Sequence, residues 1–341
     1  MINTFTIQGT ELYADTAVQS TITVKSHPQA YNVSFRGFSN TFKDNEVVLV
    51  DKNVQQLYNI QHSKIIVIEA IEENKCIETV LDVCEKLMDF GFDKGCTLVV
   101  IGGGIVQDIG AYTAKTFRRG VNWIFYPTTL LSQCDSCIGG KTALNFKKYK
   151  NQLALFSAPK EVVIDTNFLQ TLSDKDIVSG HGEIVKLFLT GGQYYIDNLN
   201  NFTMLEKIYH SLMIKKAVIE CDEFEKLERK SLNYGHSFGH VVETLTDYEI
   251  PHGEAVMLGI EIINKLFTQS PAISNIINHY TSLDRIKDID VARLVAGLRT
   301  DKKVANGFIS FVVVPEPGTT IFVDNTVDSS LEALVNEVFA N

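Results

Sequence analysis

Apolar positions in the first half of the chain come as short continuous runs separated by amphipathic stretches. The runs "EVVLVD", "KIIVIEA", "CTLVVIGGG" and "VNWIFYPTT" are β-branched or aromatic and too short for helices. Between them, "CIETVLDVCEKLMDFGF" and "IVQDIGAYTAKTF" repeat apolar residues at helical spacing. Strands alternating with helices predict an α/β unit with a parallel sheet. From about Ser173 the pattern turns helical, in "DIVSGHGEIVKLFL", "LEKIYHSLMIKKAVIECDEFEKL", "GHSFGHVVETLT" and "GEAVMLGIEIINKLF". A late strand-like pair, "FISFVVVP" and "TTIFVD", flanks "EPG". The change of pattern predicts two domains, residues 1–165 and a mostly α-helical 166–341, with the boundary between Pro159 and Leu172.

Composition narrows the class of protein. A chain of 341 residues, 45% hydrophobic, is long enough for a sizeable core. Its apolar runs fall short of the roughly 18 residues that span a bilayer. The N-terminus lacks the basic and apolar regions of a secretory signal, so the expectation is a cytoplasmic protein without a membrane partner. A net charge of −10 argues against a nucleic-acid partner. It also means that positive charge for an anionic substrate must be gathered locally. The six cysteines are scattered, and the Cys134–Cys137 CxxC has no second pair to complete four metal ligands. They read as small, half-buried side chains.

"VVIGGGIVQD" places glycines directly after a strand, where backbone can approach a pyrophosphate at a helix N-terminus. Gly102, Gly104 and Gln107 take the GxGxxG positions, so the third glycine is missing, and a tight strand–helix turn fits equally well. Asp51 ends "VVLVD", where it could take a ribose hydroxyl or be a solvated strand end. "DSCIGGKT" ends like a P-loop, but Asp135 stands where the first glycine is required, so that reading is rejected.

Histidine chemistry concentrates in three places. In "RKSLNYGHSFGH", Arg229, Asn233, His236 and His240 are spaced +4, +3, +4, which predicts one polar stripe on a helix. Ser237 follows His236 where a zinc protease would carry Glu, which argues against that class. "IPHGEAV" offers His252 and Glu254, and "SGHGEIVK" offers His181, Glu183 and Lys186. Two histidines and a carboxylate suit a catalytic metal with an open position. The spacing leaves open which of His236, His240 and His252 are ligands.

Together, "GGGIVQD", "RRG", "PTTLLSQCDSCIGGKTALN", "KN", "SGHGEIVK", "IKKAVIECDEFE", "RKSLNYGHSFGH", "IPHGEAV" and "DKK" resemble, in order and spacing, the 3-dehydroquinate synthase group of sugar phosphate cyclases, from about Val47 to Lys303. The resemblance implies an N-terminal Rossmann-like NAD-binding domain, a helical metal-binding domain and a homodimer. It implies Glu183, His236 and His252 as ligands of zinc or another divalent ion such as cobalt, with His240 beside the metal as an active-site residue. Asp135, Lys141, Asn151, Lys186, Lys215, Arg229, Asn233, Lys302 and Lys303 resemble substrate contacts. Arg119 resembles an arginine that reaches the phosphate in the neighbouring subunit. Asp51, Glu72, Lys75, Gly103, Gly104, Asp108, Thr128 and Thr129 resemble NAD contacts. The implied substrate is an anionic sugar phosphate. The resemblance implies a reaction in which NAD would oxidise the C4 hydroxyl, phosphate would leave, the hydride would return, and the ring would open and reclose as a carbocycle.

Rivals are a sister cyclase acting on sedoheptulose 7-phosphate and a metal-dependent polyol dehydrogenase. Retention of Gly140, Lys141, Arg229, Asn233 and His240 favours the carboxylated sugar, 3-deoxy-arabino-heptulosonate 7-phosphate, because Arg229 can offer a planar two-pronged donor to a carboxylate. The chain departs from the group's pattern at Gln107, His181, Cys134, Cys137 and the basic "NFKKYKN".

Overall fold

The computed structural model describes residues 2–147, 149–299 and 308–340. Lys302 and Lys303 lie outside the described residues. Two compact units emerge, Val18–Ser173 and a second that joins the first 17 residues to everything from Asp174 onward. The chain opens with β1 (Ile2–Ile7) and β2 (Thr10–Asp15), an antiparallel hairpin of the second unit. Gln8 and Gly9 close it with positive φ at both positions, the two-residue turn whose twist matches its strands.

The first unit contains β3 (Thr21–Val24), β4 (Tyr31–Phe35), β5 (Glu46–Asp51), α1 (Lys52–Leu57), β6 (Ile65–Ile68), α2 (Ile77–Asp89), β7 (Thr97–Gly102), α3 (Gly104–Thr116), β8 (Asn122–Pro127), the hairpin β9 (Lys141–Phe146) and β10 (Tyr149–Phe156), and β11 (Glu161–Ile164). Seven of these strands form one sheet in the order β3-β4-β11-β8-β7-β5-β6, parallel except for β3 against β4. β5 and β7 are buried along nearly their whole length, as their continuous apolar runs require. Val48, Val50, Val99, Ile101 and Phe168 make one core cluster there. The order β6-β5-β7-β8-β11 is the 2-1-3-4-5 arrangement of doubly wound sheets. Its topological switch point, where ligands bind, falls between β5 and β7.

The second unit adds α4 (Asp174–Gly191), α5 (Gln193–Asn198), α6 (Met204–Cys221), α7 (His236–Leu245), α8 (His252–Ile263), α9 (Pro271–Asn278), α10 (Val291–Leu298), β12 (Phe308–Glu316), β13 (Thr319–Thr326) and α11 (Ser329–Ala340). It is helical but also holds a four-stranded sheet, β12-β13-β1-β2. The division between units therefore falls at Ser173/Asp174 rather than at residue 165, and the N-terminal hairpin lies with the helices. The reason is long-range pairing. β1 runs parallel to β13, Thr6 N donates to Gly318 O at 2.7 Å, and Asn3 Nδ2 donates to Gly191 O at 2.6 Å. No local periodicity reports a partner strand at the other end of the chain.

Candidate active site and metal centre

Three helices of the second unit bring the histidine motifs together because their contact points carry no side chains. A Cβ on Gly182 of α4 would collide with the Gly253 carbonyl of α8, and one on Gly253 would collide with the Ser179 carbonyl. Such close approach lets the side chains one position away, Glu183 and His252, meet. Gly235 caps α7 at φ +77, a conformation costly for other residues, and sets His236 at the helix's first position.

Glu183 is 1% exposed. Its Oε1 lies 3.5 Å from His236 Nε2 and 3.2 Å from His252 Nε2, and Lys186 Nζ pairs with its Oε2. Ligand atoms of Glu183, His236 and His252 all fall within 4.8 Å of one another. The second nitrogen of each ring is engaged: His236 Nδ1 with Tyr234 O at 3.1 Å, and His252 Nδ1 with Glu243 Oε2 at 3.1 Å. Such partners fix the tautomer and turn both Nε2 atoms toward the carboxylate, the arrangement of a built cation site. Burial draws the His252 imidazole down, but the carboxylates of Glu183 and Glu243 outweigh it and push it up to about 10. A divalent cation would take the place of that proton. The donor set fits such an ion.

His240 lies one turn along α7, exposed, its ring 5.3 Å from His236 and 6.0 Å from His252 between centroids. It forms a second ligand-competent group with Glu243 and His252. His252 Nδ1 is already committed there to Glu243, whereas the Glu183 group combines a buried carboxylate with two oriented nitrogens. Glu243 was not among the residues the motifs single out. Its place one turn beyond His240 was the available signal.

The predicted single stripe from Arg229 to His240 is not formed. Arg229 and Asn233 belong to a 3-10 segment, Glu228–Asn233, and the α-helix begins only at His236, after the left-handed Gly235. Asp222 holds this segment by accepting the backbone N–H groups of Lys226, Leu227 and Arg229. Arg229 is 2% exposed, with Nη1 donating to Glu223 O, and Asn233 Nδ2 donates to Glu225 Oε1 at 3.0 Å. Lys186 and Lys215 are buried on α4 and α6.

In the first unit, Asp51 and the glycine turn sit at the carboxyl ends of neighbouring strands β5 and β7, at the switch point. Asp51 is buried rather than solvated. Its carboxylate caps α1 through Val54 N and accepts from Ala70 N at 3.3 Å. Gly103 is the N-cap of α3, and a Cβ there would meet Thr129 Cγ2 at 2.9 Å, while beside Gly104 nothing lies within 4 Å. An open helix N-terminus of this kind fits the pyrophosphate of a dinucleotide. Thr128 N donates to Gly102 O at 3.0 Å, bracing the turn.

Lys75, Asp108 and Asn151 converge. Lys75 Nζ donates to Asp108 Oδ2 at 2.9 Å and to Asn151 Oδ1 at 2.7 Å. Burial pushes the Asp108 carboxyl up, with Lys75 pulling the other way. Glu72 accepts from Asn145 Nδ2 at 2.8 Å. Lys141 is exposed at the start of β9, and Asp135 is half-buried in a π-helical turn, Ser132–Ser136. Arg118, Arg119 and Gly120 follow one another with positive φ, a strained run that leaves Arg119 exposed.

Two family models match adjoining stretches of the chain, 3-dehydroquinate synthase N-terminal over residues 65–179 and 3-dehydroquinate synthase C-terminal over 180–304. A 3-dehydroquinate synthase of Prochlorococcus marinus (strain MIT 9215) is 32% identical, over 90% of this chain and 87% of its own length. Among solved structures, 2-epi-5-epi-valiolone synthase from Streptomyces hygroscopicus subsp. jinggangensis 5008, with NAD+ and Zn2+ bound, shares the fold at a TM-score of 0.80 and 23% identity, covering 92% of this chain and 98% of its own. A 2-deoxy-scyllo-inosose synthase complexed with carbaglucose-6-phosphate, NAD+ and Co2+ does so at 0.78 and 20%, covering 94% and 99%.

Proposed function

The chain belongs to the 3-dehydroquinate synthase family, and we propose that it cyclises 3-deoxy-arabino-heptulosonate 7-phosphate to 3-dehydroquinate with release of phosphate. The observation that carries this reading is the convergence of Glu183, His236 and His252, each from a separate motif, on one cation-sized point. When bound, NAD would take and return a hydride, and zinc or cobalt would grip vicinal hydroxyls and acidify one of them. The NAD+ and Zn2+ or Co2+ of the two structural neighbours support the same pair here.

The protein's own part is orientation and charge. Lys186 pairs with Glu183 and keeps that carboxylate fixed, while Glu243 and the Tyr234 carbonyl aim the two imidazoles. His240, exposed beside them, is assigned to the reacting hydroxyls. Arg229, Asn233, Lys186 and Lys215, with Lys302 and Lys303, are assigned to the anionic substrate. Since Arg229 already donates to the Glu223 carbonyl, a substrate carboxylate competes with or adds to that contact. Asp51, Glu72, Lys75, Gly103, Gly104, Asp108, Thr128 and Thr129 are assigned to NAD. Asp135, Lys141 and Asn151 go to the substrate by resemblance, and so does Arg119, across a homodimer in the cytoplasm. No helix among the described residues is long and apolar enough to cross a membrane.

The test is to incubate purified protein with NAD, a divalent metal and the carboxylated sugar phosphate, and to identify the product. 3-Dehydroquinate with one phosphate released per turnover is expected. Cyclisation of sedoheptulose 7-phosphate without turnover of the carboxylated sugar would overturn the substrate assignment and leave the metal centre standing.

A further inference from the structure

Gln107 stands on α3 where the glycine-rich fingerprint carries its third glycine, one residue before Asp108. That glycine's usual task is close packing of helix on strand. Here Gly110 does it, since a Cβ at that position would lie 2.6 Å from Val100 Cγ2. Position 107 is thereby released for another use. Its side chain is buried, and both ends of its amide go to one residue. Nε2 donates to the Ser136 backbone carbonyl at 2.7 Å, and Oε1 accepts from Ser136 Oγ at 2.7 Å. An amide matches a carbonyl and a hydroxyl in this way, whereas a carboxylate lacks the donor and an aliphatic chain lacks both.

Ser136 ends the π-helical turn that carries Asp135. π-Helical turns are uncommon and gather at functional sites. At its other side the turn is anchored by Gln133, whose Nε2 donates to Pro127 O at 3.0 Å and to Asp165 O at 2.8 Å. Asp135 therefore sits between two buried glutamine anchors. One ties its turn to the end of β8. The other ties it to the helix whose N-terminus and Asp108 make the cofactor turn.

We infer that Gln107 is a positioning residue that holds the Asp135-bearing turn in register with the cofactor turn through its paired hydrogen bonds to Ser136. The inference rests on the proposed function for the role of Asp135. Misplacing a reacting group by about 1 Å can cost about 100-fold in rate, so a small slip of this turn is enough to matter.

The experiment compares wild type with Gln107→Leu, Ser136→Ala and the double variant, all loaded with NAD and metal. It reads hydrogen–deuterium exchange over residues 131–138 and 98–106, NAD affinity by calorimetry, melting temperature, and kcat and KM for the carboxylated sugar. In Gln107→Leu, exchange should rise over 131–138 and not over 98–106, with NAD affinity held. Its kcat/KM should fall by about tenfold or more. Ser136→Ala loses one of the two bonds and should fall by about fivefold. It also carries the test if Gln107→Leu does not fold. The double variant should be no worse than Gln107→Leu, because both substitutions break one pairing. Unchanged exchange over 131–138 overturns the inference. So does a loss of NAD affinity that matches the loss of kcat/KM, which would make Gln107 part of the cofactor site. If the wild type itself does not turn over the carboxylated sugar, the functional reading fails, and the exchange measurement alone decides whether the tie exists.

Discussion

At His252 the two ring nitrogens have different tasks: Nε2 faces Glu183, and Nδ1 is held by Glu243. Removing the proposed ligand and removing its support should differ in degree. His252→Ala should lose metal and activity together, read by metal analysis of the purified variant. Glu243→Gln should keep the fold but weaken metal binding by about 10–100-fold, read by competition with a chromophoric chelator. Equal affinity in that variant would reduce Glu243 to a partner of convenience. A second histidine offers a pH test away from the candidate cation site. His210 is buried among Tyr195, Phe202 and Tyr209, and burial pulls its imidazole down from 6.5 to about 4, with Glu206 opposing. A folded value below the unfolded one means that the contribution to stability is fully present above pH 6.5. It is lost as the pH falls toward 4, because the unfolded chain takes up the proton first. The gap is worth up to about 3 kcal/mol. Denaturant melts of wild type and His210→Phe should therefore converge, or cross in favour of Phe, between pH 7 and pH 4. Parallel pH profiles would sink that assignment.

Helix contacts set the geometry of the candidate cation site at the next scale. α4 and α8 touch through Gly182, Ser179 and Gly253 with no room for a Cβ. Gly253→Ala must push the helices apart, costing about 1–3 kcal/mol of stability by overpacking. The same displacement should separate Glu183 from His252, so metal affinity should fall along with the melting temperature. A variant that loses stability but binds metal as before would show that the ligands tolerate the shift. At the start of α7, the left-handed Gly235 splits Arg229 and Asn233 from the helix that holds His236 and His240. Their +4, +3, +4 spacing is real, but it spans two elements, and Asp222 rather than helical hydrogen bonding fixes the first.

For the whole molecule, the proposed chemistry is redox-neutral. Turnover should release phosphate in step with product while absorbance at 340 nm stays flat, and steady accumulation of NADH would favour a dehydrogenase instead. A bound cation also stabilises the folded state by mass action, by about 2.7 kcal/mol at a hundredfold excess over its Kd. Chelation should therefore lower the melting temperature of wild type, and much less that of His252→Ala. An equal drop in both would place the stabilising ion elsewhere.

Periodicity by itself determined the buried parallel strands β5 and β7, the helix α3 after the glycines and the helices that carry Glu183, His236 and His252, because each is a local pattern on a regular repeat. The ordered motifs likewise pointed to the family before any distance was known. What the local pattern did not carry is what long-range contact decides. The N-terminal hairpin joins the helical unit because β1 finds β13. Glu183, His236 and His252 come within 4.8 Å of one another because glycine contacts let α4, α7 and α8 close on one another. Glu243 and the Gln107–Ser136 pairing were invisible, since an acidic residue on a helix or a glutamine in a glycine's place acquires meaning only from the atom it meets. Hydrogen bonding and close packing depend on distances of a few ångströms between residues far apart in sequence, and only the folded chain sets those distances.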